Sequence, residues 1–464
     1  MKNKNGFSWK DLALMCFMTV WGFTNSINGF ANFNGLGAVV FWVLVLVLYF
    51  TPYSLMVGEL GSTFSKEEGG VSLWINKTMG KKLAFFAGWM YYVVHLPYIS
   101  QKLNQLVIAA SWAIFGRAIE FSVVQMQLLS LGILFLAIFL ATKGLSVLKK
   151  LSSISGLSLF ILSILFIIMM VLAPAIPGSR TLSISLSDFK PQFTLPNFLN
   201  LSILIFAVGG CEKISPYVNK LDDPKKDFPK GLIALTVMVI ICAVLGTTAL
   251  GMMFDSNNIP EDLLANGAFY AFQKLGEYYH LGNLFLYAYS ICNFVCRFTI
   301  VILSIDAPLH MLLGNNDKEN IPEWFYKKNK HGVYTNGLII TAIVVFILTV
   351  LPMIGIGDMN QLVKWLIKLN SVCMPLRYLW VFAAYIMLKL KANQFENDGY
   401  MFVKNNKIGI IFGVWCFVIT LVSCIMGMYS ENSFELIMNI ATPVILLLIG
   451  LILPLIAKKS NKSA

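Results

Sequence analysis

Apolar runs recur along this chain with a regularity that soluble folds do not show. Windows of about 20 residues, each long enough as a helix to cross about 30 Å of hydrocarbon, fall near 11–33, 38–60, 84–115, 124–142, 152–174, 197–217, 231–254, 282–312, 334–352, 359–388, 408–428 and 434–456. None of the intervals between them has room for a soluble domain. The pattern predicts an all-α membrane protein of twelve transmembrane helices, organised as a single transmembrane domain over 1–464.

Two of the windows are interrupted by polar residues. Span 1 reads MTVWGFTNSINGFANF (18–33), with Thr24, Asn25, Ser26, Asn28 and Gly29 near its middle. Span 6 reads LNLSILIFAVGGCEKISPYVNK (199–220), and meets Gly209, Gly210, Cys211 and Glu212 before it has crossed. Opening a helix at that depth bares N–H and C=O groups that lipid cannot satisfy, so the gap must line a wet cavity or hold a ligand. Half-helix N-termini suit a carboxylate and C-termini suit a cation. Span 6 lies five crossings after span 1, so the two enter from opposite sides. Such a pair of broken helices points to a transporter built from inverted repeats. The repeats would be 11–174 and 197–388, with the helices of 408–456 appended.

Composition agrees with lipid as the solvent. The chain is 57% hydrophobic and 12% charged, where soluble domains carry about a quarter of charged residues. Its net charge of +12 is arranged by topology: 25 Lys/Arg fall in alternate segments that begin with the N-terminus, and only Arg117, Arg180, Lys190 and Lys274 fall in the others. That asymmetry predicts cytoplasmic termini and a place in the cell's inner (plasma) membrane, with lipid and not nucleic acid as the surroundings. The eight cysteines all lie inside apolar windows and read as small apolar filler. The chain carries no GxxxxGK[ST], no HExxH and no Ser/His or paired-carboxylate cluster, so no nucleotide, metal or other cofactor and no enzymatic activity is expected.

Two loops carry recognisable segments. EEGGVSLWINKTMG (67–80) resembles the EEGG-x-x-x-W-x-x-x-x-G segment after span 2 of amino-acid/polyamine/organocation permeases, and its amphipathic run could lie on the membrane surface. GGCEKISPYVNKLDDPKKDFPKG (209–231) resembles the broken span 6 and Pro-bearing loop of the same superfamily, with the bacterial glutamate/GABA antiporter group the nearest likeness. IPEWFYKKNKHGVYTN (321–336) is similar to the linker after span 8. The resemblance covers nearly the whole chain. It implies a leucine-transporter-type 5+5 inverted repeat with two extra helices, and alternating-access movement of a small amino acid. By position it implies a substrate lying against the span-1 break (Phe23, Thr24, Asn25, Ser26, Ile27) and the span-6 break (Ala207, Val208, Gly209, Gly210, Cys211, with Glu212 beyond). Tyr91 or Tyr98 and Tyr378 would face it. Span 5, SSISGLSLFILS (152–163), lacks the mid-membrane lysine that stands in for sodium in some proton-coupled relatives. The tail AKKSNKSA is too short for the C-terminal plug that glutamate/GABA exchangers can carry.

Six basic residues lie in or beside spans: Lys102, Lys213, Arg297, Lys364, Lys368 and Arg377. Charges at that depth are costly and face protein or water. Lys213 and Lys364, near span ends, are expected to snorkel. Arg297 cannot shed its proton, and Glu212 is its expected partner across the pathway. Glu212, Arg297, Lys368 and Arg377 are the candidates for coupling or gating. His95 reads as a satisfied core histidine or else a pH-sensing cavity residue, and the hydroxyls of Thr299 and Ser304 either as offered to sodium or as helix packing. The excess of bases suggests an anionic or zwitterionic substrate. The expected function is an amino-acid antiporter; the alternatives are a proton- or sodium-coupled symporter of the same fold, or a transporter-like channel or sensor.

Overall fold

The computed structural model describes residues 8–67, 69–143, 145–314, 320–395 and 399–460. Glu68 of the EEGG segment and the last four residues of the tail lie outside them. The named elements of the described residues are all helical, and an isolated antiparallel bridge pairs Lys328 with Tyr334.

Among the described residues, ten helices are long and apolar enough to cross a membrane. The two remaining apolar windows are divided. The first is split into α1 (Trp9–Val20) and α2 (Phe23–Asn32). Helix α3 (Gly35–Thr63) follows, then α4 (Gly70–Met79). The other divided window comprises α5 (Lys81–Val93) and α6 (His95–Phe115), where Pro97 has no N–H to offer the carbonyl of Val93. Next come α7 (Val123–Ala141), α8 (Leu145–Leu172), α9 (Leu201–Ala207), α10 (Pro224–Gly251), α11 (Leu263–Tyr278) and α12 (Leu284–Leu313). The chain closes with α13 (Thr335–Val350), α14 (Met359–Cys373), α15 (Tyr378–Leu390), α16 (Asn406–Gly427) and α17 (Ser433–Ser460). Helix α12 packs against α6, α8 and α11 and is buried along most of its length. Large apolar side chains stand exposed on α7, α16 and α17, such as Phe135, Ile411 and Leu455. That is the surface expected of helices bathed in lipid.

The first gap is narrower and earlier than expected. Helix α1 opens on a capping box in which Ser8 and Asp11 exchange hydrogen bonds. It ends because Trp21 (φ −121°, ψ 140°) and Gly22 (φ −142°, ψ 152°) are extended. Trp21 is held there edge-to-face on Trp42, centroids 5.3 Å apart. Residues Phe23 to Ile27, expected to form the break, are the first turns of α2. Thr, Asn and Ser favour helix starts, and here the polar run marks the beginning of the second half-helix.

The second gap spans Val208 to Gly210, between α9 and a 3₁₀ run over Cys211–Lys220. Ala207 is still helical and Glu212 is already in the 3₁₀ run. Gly210 takes φ 112°, open to glycine alone without strain. At Gly209 a Cβ would sit 1.9 Å from the hydroxyl of Tyr378, so the tyrosine occupies the space of a side chain.

Helix α4 departs from the surface position expected of it. Gly70 through Ile75 are buried, and the helix packs on α5 and on the 3₁₀ run of span 6. Ser72 donates to the carbonyl of Met311 at 2.9 Å, tying it to the end of α12.

Candidate functional site

Between the two gaps lies a cavity of about 60 Å³. Its wall draws on α1, α2, α6, α9, the 3₁₀ run, α12 and the turn before α15. The first half-helix to point at it is α2, whose N-cap Gly22 supplies no capping side chain, so no side chain caps the positive end of that helix at the site. The two C-terminal ends that converge there, at Val20 and Ala207, are joined by one side chain. Asn25 Nδ2 donates to Val20 O at 3.3 Å and to Ala207 O at 3.0 Å.

Four cations line the cavity: Lys102, Lys213, Arg297 and Arg377. Among the described residues no carboxylate does. Arg297 is 6% exposed. It donates to Asn293 Oδ1 at 2.8 Å, to Thr24 Oγ1 at 3.2 Å, and to Gln105 Oε1 in a short contact. Lys102 donates to the same Gln105 oxygen at 3.0 Å. Lys213, 3% exposed, donates to Ser304 Oγ at 2.7 Å. Both ammonium groups lie on the ring of Tyr98, 4.9 and 5.4 Å from its centroid. Among the described residues, none of these three cations has a carboxylate within ion-pair distance. Asn293 Nδ2 and Gln101 Oε1, also on the wall, have no protein partner.

The fourth cation is neutralised. Arg377 Nε lies 3.0 Å from Glu212 Oε1, both groups fully buried. Tyr91 donates to the same oxygen at 3.1 Å, and Tyr53 donates to the other in a short hydrogen bond. Arg377 Nη1 reaches His95 Nε2 at 2.6 Å. Since a guanidinium only donates, His95 accepts there and carries its proton on Nδ1, which donates to Tyr91 O at 2.7 Å. The network joins α3, α5, α6, the 3₁₀ run and the turn before α15.

The structure therefore corrects the expected pairing of Glu212 with Arg297: the partner is Arg377. Two other expectations fall with it. Lys213 does not snorkel: it follows the break at Gly210 by three residues, and its side chain turns inward to the Ser304 hydroxyl of α12. Ser304 is not free for sodium, since its hydroxyl donates to Ile300 O and receives the Lys213 ammonium; Thr299 bonds Val295 O within its own helix.

Of the residues singled out in the sequence, Thr24, Asn25, Tyr98, Ala207, Gly209, Arg297, Arg377 and Tyr378 line the cavity. Others stand behind the wall. Phe23 packs in an aromatic cluster with Phe166, Phe272 and Tyr289. Ser26 donates to Cys242 O, and Ile27 is fully buried. Tyr91 and Glu212 belong to the ion-pair network, Val208 and Gly210 are buried in the gap, and Cys211 is buried at the start of the 3₁₀ run. Lys368 lies apart, donating to Leu199 O at 2.8 Å and to Asn200 Oδ1 at 3.2 Å, on the wall of a separate cavity of about 630 Å³. The sequence reading missed Gln101, Gln105 and Asn293. The signal was present: uncharged polar residues one helical turn from a buried base, as Asn293 is from Arg297.

With this geometry in view, comparison with known proteins adds the following. The amino acid permease family profile matches residues 7–456. The aspartate/glutamate permease AcaP of Lactococcus lactis subsp. cremoris is 44% identical over 98% of this chain and 96% of its own length. A probable agmatine/putrescine antiporter, AguD, of L. lactis subsp. lactis is 24% identical over 75% of this chain and 72% of its own. The glutamate/gamma-aminobutyrate antiporter of that same organism is 22% identical over 77% and 71%. The helical, multi-pass fold, the two gaps and a match over nearly the full length agree: the chain belongs to the amino acid permease family and is a membrane transporter.

Proposed function

We propose that this transporter exchanges acidic amino acids, aspartate or glutamate, across the cell membrane by alternating access. The observation that carries the reading is the charge of the cavity. Three buried basic groups, the guanidinium of Arg297 and the amines of Lys102 and Lys213, face one small space with no carboxylate partner among the described residues, and charging them there without a counter-ion is costly. A ligand with two carboxylates supplies what the protein withholds. Its α-carboxylate fits the uncapped start of α2 beside Arg297, its ammonium the carbonyl ends at Val20 and Ala207, and its side-chain carboxylate the Lys102 and Lys213 side. The name of the aspartate/glutamate relative supports this choice of substrate.

The same electrostatics favour exchange. An emptied cavity keeps its unpaired cations, so reorientation is easier once a second anionic substrate has refilled it. Twelve crossings arranged as an inverted repeat, with cytoplasmic termini, accord with the two opposed gaps and the distribution of Lys and Arg.

The test is counterflow in proteoliposomes preloaded with a panel of amino acids, with proton and sodium gradients imposed or collapsed. Aspartate and glutamate should exchange regardless of either gradient. Exchange of neutral amino acids at equal efficiency would overturn the substrate, and uptake only under a gradient would overturn the exchange.

A further inference from the structure

We propose that Asn25 is a built-in placeholder for the substrate's ammonium group, occupying its subsite whenever the cavity is empty. The inference rests on the amino-acid reading above and adds a residue that sets the selectivity for an amine.

Helices α1 and α9 both stop at the cavity, and their last carbonyls carry the partial negative charge of a helix C-terminus. Val20 O and Ala207 O converge on one nitrogen, Asn25 Nδ2. Among the described residues no other hydrogen bond reaches either oxygen outside the helix ladders. A primary amide has two N–H donors and can serve both carbonyls at once. Turning the amide over would press its oxygen against two carbonyl oxygens, so the orientation is determined. The residue sits on the cavity wall and is only partly buried, so its side chain has space into which to swing.

A neutral amide in this place does what an ammonium would do, more weakly. It satisfies two otherwise bare carbonyls and stitches the gap in span 1 to the gap in span 6. An ammonium carries a full charge and three donors, and charge-assisted hydrogen bonds are roughly twice as strong as neutral ones. Arrival of an amino acid therefore displaces the amide, and departure lets it return. The amide thus competes with every ligand that carries an ammonium and with none that lacks one.

That asymmetry is measurable on the purified full-length protein. Dissociation constants would be compared for L-aspartate and for succinate, its amine-free analogue, in wild type, Asn25→Ala and Asn25→Ser. Removing the placeholder should tighten aspartate binding by about three- to tenfold, the size of one net hydrogen bond, and leave succinate within about twofold. Serine, which can serve one carbonyl, should fall between; it also carries the test if the alanine variant fails to fold. Weaker aspartate binding in the variants, or equal shifts for both ligands, would overturn the proposal. The pair alanine and propionate is run alongside. If wild type binds alanine but neither acidic amino acid, the acidic-substrate reading fails, and this second pair still decides the role of Asn25 by the same criteria.

Discussion

Arg297 and Arg377 are two buried arginines on the wall of one cavity, and their surroundings are opposite. Arg377 lies against a fully buried carboxylate and a neutral imidazole, and its guanidinium stacks on Tyr91 and Tyr378 at 4.9 and 5.0 Å. Arg297 is bound by three neutral oxygens. A charge whose partner is already present serves the fold. One that is solvated only by amides and hydroxyls is held in place but left uncompensated, ready for a ligand to complete. The same contrast recurs elsewhere: Lys389 lies 2.6 Å from Glu59 and anchors α15 to α3 and to the carbonyl of Val403, whereas Lys213 has a single hydroxyl.

The contrast is sharpest where the two kinds of charge should respond oppositely to neutralisation. Glu212→Gln leaves Arg377 buried without its counter-ion. It should lower the stability of the solubilised protein by about 3–5 kcal/mol, read by thermal or denaturant unfolding; unchanged stability would dissolve the distinction between the two arginines. Arg297→Gln should leave unfolding nearly untouched and weaken aspartate binding by roughly 2–4 kcal/mol, about 30- to 1,000-fold; normal uptake at low aspartate would remove Arg297 from the site. The smallest effect carries the most unusual sign. Lys213→Met removes an ammonium with one acceptor for three donors, and should stabilise the empty protein by about 1–2 kcal/mol while weakening the acidic substrate. A destabilised Lys213→Met protein would mean that this lysine, like Lys389, is structural.

Much of this molecule was legible in one dimension. The expected apolar windows are largely helical, and each polar interruption lies at or beside a gap, because lipid admits no other treatment of bare backbone. The gap in span 1 was misplaced by a few residues, since Thr24, Asn25 and Ser26 read equally as an interruption and as the first turn of a new helix. The amphipathic run 70–79 looked like a surface helix because its apolar face does not reveal what will cover it. In the structure its cover is span 6: a Cβ on Gly70 would lie 2.4 Å from Ser215 Oγ.

Partner choice among charges was not legible. Glu212 could be assigned to a basic residue on a neighbouring span but not to the correct one, and Lys213 was placed by its distance from a span end when the adjacent break and the Ser304 hydroxyl of another helix fixed its position. Hydropathy and helix termini are sums over adjacent residues, so the chain alone determined its solvent, its helices, its two gaps and its surplus of buried bases. Ion pairing depends on ångström-scale separations between helices distant in sequence, because Coulomb attraction in a poorly screened interior changes steeply over one side-chain length. Only the packed tertiary structure could decide which arginine was neutralised and which cations were left for a substrate.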